Sequence, residues 1–174
     1  MEKKEKILVV IPTTASRLSI LQQVIDSVYS NNKFDIKTII VKNGTYPDDN
    51  FLSYDFGYPN IIKTTSYPGG HLSVAMNKGL EYLTDEDWYI YQEDDLIIKT
   101  PNWLNLITNL YKEIPNCGVF GTRLHGGQRK YNPRKEFTIE SLKIKDKDTF
   151  EVYWTDGVTL VSGDIMRKYN IKYD

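Results

Sequence analysis

The chain has 174 residues, 40% of them hydrophobic and 26% charged, a composition typical of one globular domain and not of a disordered or fibrous protein. Its net charge of −1 creates no field that would recruit nucleic acid. No apolar run reaches the ~20 residues of a membrane span, so we expect a cytoplasmic protein, with peripheral membrane contact left open. A single cysteine excludes an internal disulfide, and with two histidines it is too few for an ordinary structural zinc site.

The first quarter of the chain predicts a βαβ unit. Ile7–Ile11 is a β-branched run stopped by Pro12, typical of a strand buried on both faces. Ser16 is placed to cap the next helix, in which apolar residues recur at helical spacing as far as Val28. Thr38–Val41 predicts the second strand, so the two strands should be parallel and joined by a right-handed crossover.

The remaining chain continues the alternation of strands and helices. Further strands are predicted at Ile61–Thr64, Trp88–Tyr91, Gly118–Gly121, Phe150–Trp154 and Val158–Val161. Ser73 and Ser162 are each placed to cap a helix, and Pro101 to occupy the first helical position. The basic stretch 123–135 predicts a solvated loop or a lid, and no firm element is assigned to 45–59. Together the pattern predicts one α/β domain over residues 1–174, with a mostly parallel sheet flanked by helices.

Three of the predicted strands end in polar residues. Pro12-Thr13-Thr14 follows the first strand, Lys42-Asn43-Gly44 the second, and Glu93-Asp94-Asp95 the strand at Trp88–Tyr91. Ligands of open parallel sheets bind beyond the carboxyl ends of the strands. We therefore expect the three clusters to share one rim and to form a ligand site there.

The acidic cluster is the most informative of the three. Alternate residues of a strand point the same way, so Glu93 and Asp95 are predicted to share a target. Two adjacent carboxylates repel each other unless a cation lies between them, and oxygen ligands suit Mg²⁺ or Mn²⁺. A solvated acidic turn is the alternative, and the position directly after an apolar-aromatic strand favours the metal site.

With these motifs in order, the sequence resembles the family 2 glycosyltransferases of the GT-A fold. The matches are Val9–Thr14 with Arg17 to V-I-P-T-Y-N-R, Ile39–Thr45 to I-V-V-D-N-G-S, Gly70, Ala75, Asn77 and Gly79 to G-x-x-x-x-A-x-N-x-G, Glu93–Asp95 to the D-x-D metal motif, and Val158–Asp174 to the stretch before F-D-E. Each motif is weak alone, but their order and spacing make the signal strong.

The resemblance implies a metal-dependent, inverting transfer of a sugar from a nucleoside-diphosphate donor, with UDP or dTDP favoured, to a saccharide or other hydroxyl acceptor. It implies a donor site at Pro12, Thr13, Thr14, Arg17, Lys42, Asn43, Gly70, Asn77 and Asp94. It also implies Asp95 as the main ligand of Mn²⁺ or Mg²⁺, assisted by Glu93, and a carboxylate base that deprotonates the acceptor.

Three departures from the family pattern limit what the resemblance implies. Lys42 replaces an Asp of the nucleoside turn, and an ammonium group accepts no hydrogen bond from a base or ribose. Glu93 replaces the first Asp of the metal motif. The chain stops at Asp174, before the usual E-D base motif, which leaves a truncated chain, a minimal enzyme, or Asp156 as the base.

Other functions remain as alternatives. A donor-binding module or inactive relative would keep the cleft without the base. A sugar-nucleotide pyrophosphorylase would have a Gly-rich basic loop after the first strand, which residues 12–16 lack, and a receiver domain would have acidic residues there. Individual residues also have simpler interpretations: Gly79 as a packing glycine, Asn77 as an exposed polar residue, and His125 as a surface histidine.

Overall fold

The structure, a computed structural model, describes residues 3–31, 33–44, 50–66, 70–113, 117–121, 144–146, 149–150 and 157–173. Its strands are β1 (Lys6–Thr13), β2 (Asp35–Lys42), β3 (Ile61–Thr65), β4 (Trp88–Gln92), β5 (Val119–Gly121), β6 (Ile144–Asp146), β7 (Thr149–Phe150) and β8 (Val158–Ser162). Its helices are α1 (Leu18–Tyr29), α2 (Asn50–Ser53), α3 (Leu72–Leu80), α4 (Trp103–Glu113) and α5 (Gly163–Lys168).

Six strands form one sheet in the order β3-β2-β1-β4-β8-β5, and β6 and β7 pair separately. The four strands β3, β2, β1 and β4 run parallel, whereas β8 lies antiparallel to both of its neighbours. The predicted α/β class and mostly parallel sheet are therefore confirmed. Because β1 lies between β2 and β4, the carboxyl ends of these three strands meet at one edge of the sheet.

The alternation of side chains along β1 divides the core between the two faces of the sheet. Ile7, Val9 and Ile11 pack with the apolar side of α1 and with α4 on one face. Leu8 and Val10 pack with α3 and α5 on the other face. All five side chains are fully buried, which confirms the prediction of a strand buried on both faces.

The helix starts differ from the predictions made from capping residues. Helix α1 begins after Arg17, and the hydroxyl of Ser16 lies 2.8 Å from that of Thr14 instead of bonding a helical N–H. Ser73 lies inside the first turn of α3, which begins at Leu72, and α4 begins two residues after Pro101. Helix α4 begins later than predicted because Asn102 has a φ of 54°, which is not helical. Ser162 precedes α5 as predicted, although its side chain makes no capping hydrogen bond.

Two predicted segments lie largely outside the described residues. These are the basic stretch 123–135 and most of the strand predicted at Phe150–Trp154, of which the structure describes the β7 residue Phe150. The short helix α2 forms within 45–59, where the sequence predicts no element. Among the described residues, no helix is long and apolar enough to cross a membrane.

Candidate functional site

A cleft of about 380 Å³ opens at the carboxyl ends of β1, β2 and β4. It is lined by residues from each of the three predicted polar clusters and from the start of α3: Pro12, Thr13, Thr14, Arg17, Asn43, Leu72, Tyr91, Glu93, Asp94 and Asp95. The structure therefore brings the three strand ends together as the topology predicts. The lining holds three carboxylates and one guanidinium, so the cleft carries an excess of negative charge that favours a cation.

Thr13 joins the three strand ends. Its main-chain carbonyl accepts the Asn43 N–H at 2.7 Å, and its hydroxyl donates to Asp94 Oδ2 at 2.6 Å. The same hydroxyl accepts the Ala15 N–H at 2.9 Å, in a turn where Ala15 has a φ of 60°. Thr13 is buried, so these bonds are shielded from competing water. The loop after β1 is thus held in a fixed position against both neighbouring strand ends.

The acidic residues lie in a turn and not on the strand. Strand β4 ends at Gln92, and the Leu96 N–H donates to the Glu93 carbonyl at 3.4 Å to close the turn. The expected strand alternation of Glu93 and Asp95 is therefore wrong, because the backbone leaves the extended conformation after Gln92. All three carboxylates nevertheless line the cleft.

Asp95 lies opposite a cation supplied by the chain itself. Arg17 Nη2 lies 3.0 Å from Asp95 Oδ2, and both side chains are about half exposed, at 53% and 48%. A pair this exposed is worth only about 0.2–1 kcal/mol, so a bound ligand can displace it easily. Arg17 therefore has an anionic partner in the free protein and is placed to exchange it for another anion.

The oxygen ligands in the cleft fit a divalent metal that takes only some of its ligands from the protein. Among the described residues, no group of three or more His, Cys, Asp or Glu side chains is arranged to enclose an ion. Mg²⁺ and similar ions commonly take one or two carboxylates together with substrate phosphates and water. Glu93, Asp94 and Asp95 supply hard oxygen atoms for such an open site.

Three of the predicted site residues that the structure describes do not line this cleft. Lys42 and Gly70 are described but do not line it. Asn77 is engaged elsewhere: its Nδ2 donates to the Tyr173 carbonyl at 2.7 Å, and its Oδ1 accepts the Tyr173 N–H at 2.8 Å. This contact joins α3 to the C-terminal segment. It matches neither of the two predictions for Asn77, which placed it in the donor site or on the exposed surface. Asp156, the predicted base, lies outside the described residues.

Residues outside the three predicted polar clusters also shape the cleft, and Ser66 and Leu72 among them were missed by sequence reasoning. Ser66 donates its N–H to the Lys42 carbonyl at 2.9 Å, and its hydroxyl donates to Asn43 Oδ1 at 3.0 Å. Leu72 and Tyr91 line both the cleft and an adjoining, largely apolar groove of about 530 Å³ between α3, α5 and β8. A serine or an apolar residue at a loop end has no sequence signal of its own, because its role depends on which elements meet there.

The sequence matches the model of one protein family, described as glycosyl transferase family 2, over residues 8–172. No curated protein matches the chain significantly.

Solved structures with the same fold include TarS of S. aureus (TM-score 0.68, 10% identity, 97% of this chain and 50% of that one). The mannosyltransferase PcManGT of Pyrobaculum calidifontis, solved with GDP-Man and Mn²⁺, has a TM-score of 0.69 at 11% identity, over 96% of this chain and 47% of that one. A 4-diphosphocytidyl-2C-methyl-D-erythritol synthase of Anaerococcus prevotii gives 0.60 at 12% identity, over 98% and 79%. At these identities the likeness shows the fold alone, and the chain spans about half the length of the first two.

Proposed function

The chain belongs to the family 2 glycosyl transferases, and from this premise we propose that it transfers a sugar from a nucleoside-diphosphate donor, UDP- or dTDP-linked, to an acceptor hydroxyl. One observation carries the proposal: three carboxylates and Arg17 line a single cleft at the carboxyl edge of the parallel strands. This arrangement offers anionic ligands to a divalent cation and a guanidinium to a diphosphate in the same space.

The residues of the cleft have separate tasks in this proposal. Asp95 and Glu93 would hold Mn²⁺ or Mg²⁺, which when bound supplies positive charge to the departing diphosphate. Arg17 would leave Asp95 and bind a diphosphate oxygen, because phosphate offers a guanidinium two charge-assisted hydrogen bonds. Thr13 and Asn43 border the nucleoside, and the Thr13 hydroxyl keeps Asp94 oriented at 2.6 Å. Their fixed positions reduce the rearrangement needed when the donor binds.

The acceptor hydroxyl requires a base, and we propose Asp156 for that role. Attack by the deprotonated hydroxyl on the face of the sugar opposite the diphosphate would invert the anomeric centre. A carboxylate within hydrogen-bond reach of the hydroxyl accepts its proton as the new bond forms. Saccharides are the acceptor class that the family resemblance favours.

A thermal-shift screen tests donor binding directly. UDP, dTDP and GDP are each added with Mn²⁺, with EDTA, or alone. We expect one nucleotide to raise the melting temperature by roughly 5–10 °C with Mn²⁺, since a ligand at 100 times its Kd adds about 2.7 kcal/mol and a chain of this size gains 2–4 °C per kcal/mol. EDTA should remove the shift, because the carboxylates and the diphosphate then lack the cation between them.

The alternatives are separated by the same screen extended to nucleoside triphosphates and followed by turnover assays. No shift with any nucleotide and Mn²⁺ would contradict the proposal. A shift in a protein that neither hydrolyses the donor, even slowly, nor transfers its sugar would favour a donor-binding module. A shift produced by a nucleoside triphosphate, with release of pyrophosphate in the presence of a sugar phosphate, would favour a nucleotidyltransferase.

Arg17 is expected to affect the metal and the nucleotide in opposite directions. In Arg17→Ala the metal no longer competes with a guanidinium, so Mn²⁺ alone should bind roughly 1.5- to 5-fold more tightly, the equivalent of 0.2–1 kcal/mol. The nucleoside diphosphate should bind more than about tenfold more weakly, because a hydrogen bond to a charged group is worth about 1.5–3 kcal/mol. Titration calorimetry measures both affinities.

The matched control is Lys78→Ala, which removes the cation of an exposed pair with Glu81 on α3. It should leave both affinities unchanged. Weaker binding of Mn²⁺ alone in Arg17→Ala would show that Arg17 does not compete for Asp95.

A further inference from the structure

Gln92, the last residue of β4, is a fully buried polar side chain directly beneath the acidic turn. Its Nε2 donates to the Leu96 carbonyl at 2.7 Å and to the Glu93 carbonyl at 3.2 Å. One amide group therefore binds main-chain carbonyls on both sides of Asp94 and Asp95. The Leu96 N–H also donates to the Glu93 carbonyl, at the longer distance of 3.4 Å.

We propose that Gln92 is a positioning residue that fixes the acidic turn, so that its carboxylates face the cleft in an arrangement ready for a divalent cation. The inference rests on the proposed function, in which those carboxylates hold the metal. Strand alternation directs Gln92 to the face occupied by Trp88 and Ile90, away from the ligand. Gln92 therefore acts through the turn and touches neither metal nor donor.

The unpaired half of the Gln92 amide supports this role. Its Oε1 is buried and has no hydrogen-bond partner among the residues that the structure describes. A buried unpaired carbonyl costs free energy, so a side chain chosen for stability alone would be apolar. A glutamate of the same size would have no N–H to donate and would repel both carbonyls. The two donors of the amide are thus the property that this position requires.

The other contacts of the turn show why hydrogen bonds to its main chain are needed. From outside, the turn is held by the Thr13 hydroxyl on Asp94 and by Arg17 on Asp95. Both contacts involve the carboxylates themselves, and ligand binding changes the environment of these groups. The Gln92 bonds involve only main-chain carbonyls, so they persist when the carboxylates change partners.

The variant Gln92→Met tests the proposal because it keeps the volume, removes both donors and removes the unpaired carbonyl. We expect amide hydrogen exchange of Leu96, whose N–H donates to the Glu93 carbonyl, to become at least tenfold faster, with little change at Trp88–Tyr91. The matched control is Asn31→Leu. Asn31 is also buried and lies away from the acidic turn: its Nδ2 donates to the Ser27 and Val28 carbonyls, and its Oδ1 accepts the Leu104 N–H. Its loss should leave exchange at Leu96 unchanged.

A second readout separates this inference from the proposed function. Mn²⁺ affinity is measured from the electron paramagnetic resonance of the free ion, with and without UDP. Loss of an outer partner of a metal ligand typically weakens binding 10- to 100-fold, and we expect this for Gln92→Met but not for Asn31→Leu. Unchanged exchange at Leu96, or unchanged Mn²⁺ affinity in a folded Gln92→Met protein, overturns the Gln92 proposal. If the wild-type chain binds neither Mn²⁺ nor nucleotide, the proposed function fails, and the exchange experiment still decides whether Gln92 fixes the turn.

Discussion

Replacing Asp95 with asparagine is expected to lower metal-dependent donor turnover by roughly a thousandfold. A unit-charge pair at 4 Å and an effective dielectric near 20 is worth about 4 kcal/mol, and each 1.36 kcal/mol corresponds to tenfold in rate. Asparagine keeps the shape of the side chain and removes its charge, so the loss reports the interaction with a cation. The measurement is kcat/KM for donor hydrolysis with Mn²⁺, using the nucleotide selected by the thermal-shift screen.

The stability of the Asp95→Asn protein should change little, because the Asp95 side chain is 48% exposed and its partner Arg17 is equally exposed. The matched control is Asp164→Asn, which removes another exposed carboxylate paired with an arginine, at the start of α5. That variant should keep full turnover. Wild-type turnover in a folded Asp95→Asn protein would contradict the metal assignment.

The position of the site could be predicted because it follows from chain topology. Apolar runs such as Ile7–Ile11 indicate buried strands, and the β-helix-β pattern requires them to be parallel. Parallel strands bring their carboxyl ends to one edge, so the residues after β1, β2 and β4 had to lie near one another. This reasoning needs only the order of the elements along the chain.

The contacts within the site could not be predicted, because they depend on how loops close in three dimensions. Strand alternation fails at Glu93 and Asp95 since the backbone turns after Gln92. Ser16 makes no cap because Thr14 is close enough to bond it. The Asn77 contact joins residues 96 positions apart and has no local signal.

Gln92 illustrates the same limit for a buried polar residue. A glutamine before three acidic residues has the local pattern of a solvated strand end. After the turn, Leu96, Ile97 and Ile98 pack against the core, and the Leu96 carbonyl accepts a hydrogen bond from the buried Gln92 amide. Polar residues that become buried in this way are recognised only after the fold is known.

A large effect on stability is expected at Gly79 of helix α3. A Cβ built on Gly79 would lie 2.3 Å from Val10 Cγ1, far inside van der Waals contact. Val10 is fully buried and β-branched, and its Cγ2 would also lie 2.8 Å from the added Cβ, so rotation of its side chain gives little relief. The structure thus confirms the interpretation of Gly79 as a glycine that permits close helix–sheet packing.

Gly79→Ala is therefore expected to destabilise the fold by about 2 kcal/mol, since overpacking a core costs about 1–3 kcal/mol or more and outweighs the gain of up to about 1 kcal/mol in helix propensity. The melting temperature should fall by roughly 4–8 °C. Because α3 carries Leu72 into the cleft, nucleotide binding should weaken as well. Gly118→Ala is the matched control, since a Cβ there meets nothing within 4 Å. A Gly79→Ala protein as stable as Gly118→Ala would mean that α3 does not pack as closely on β1 as this contact requires.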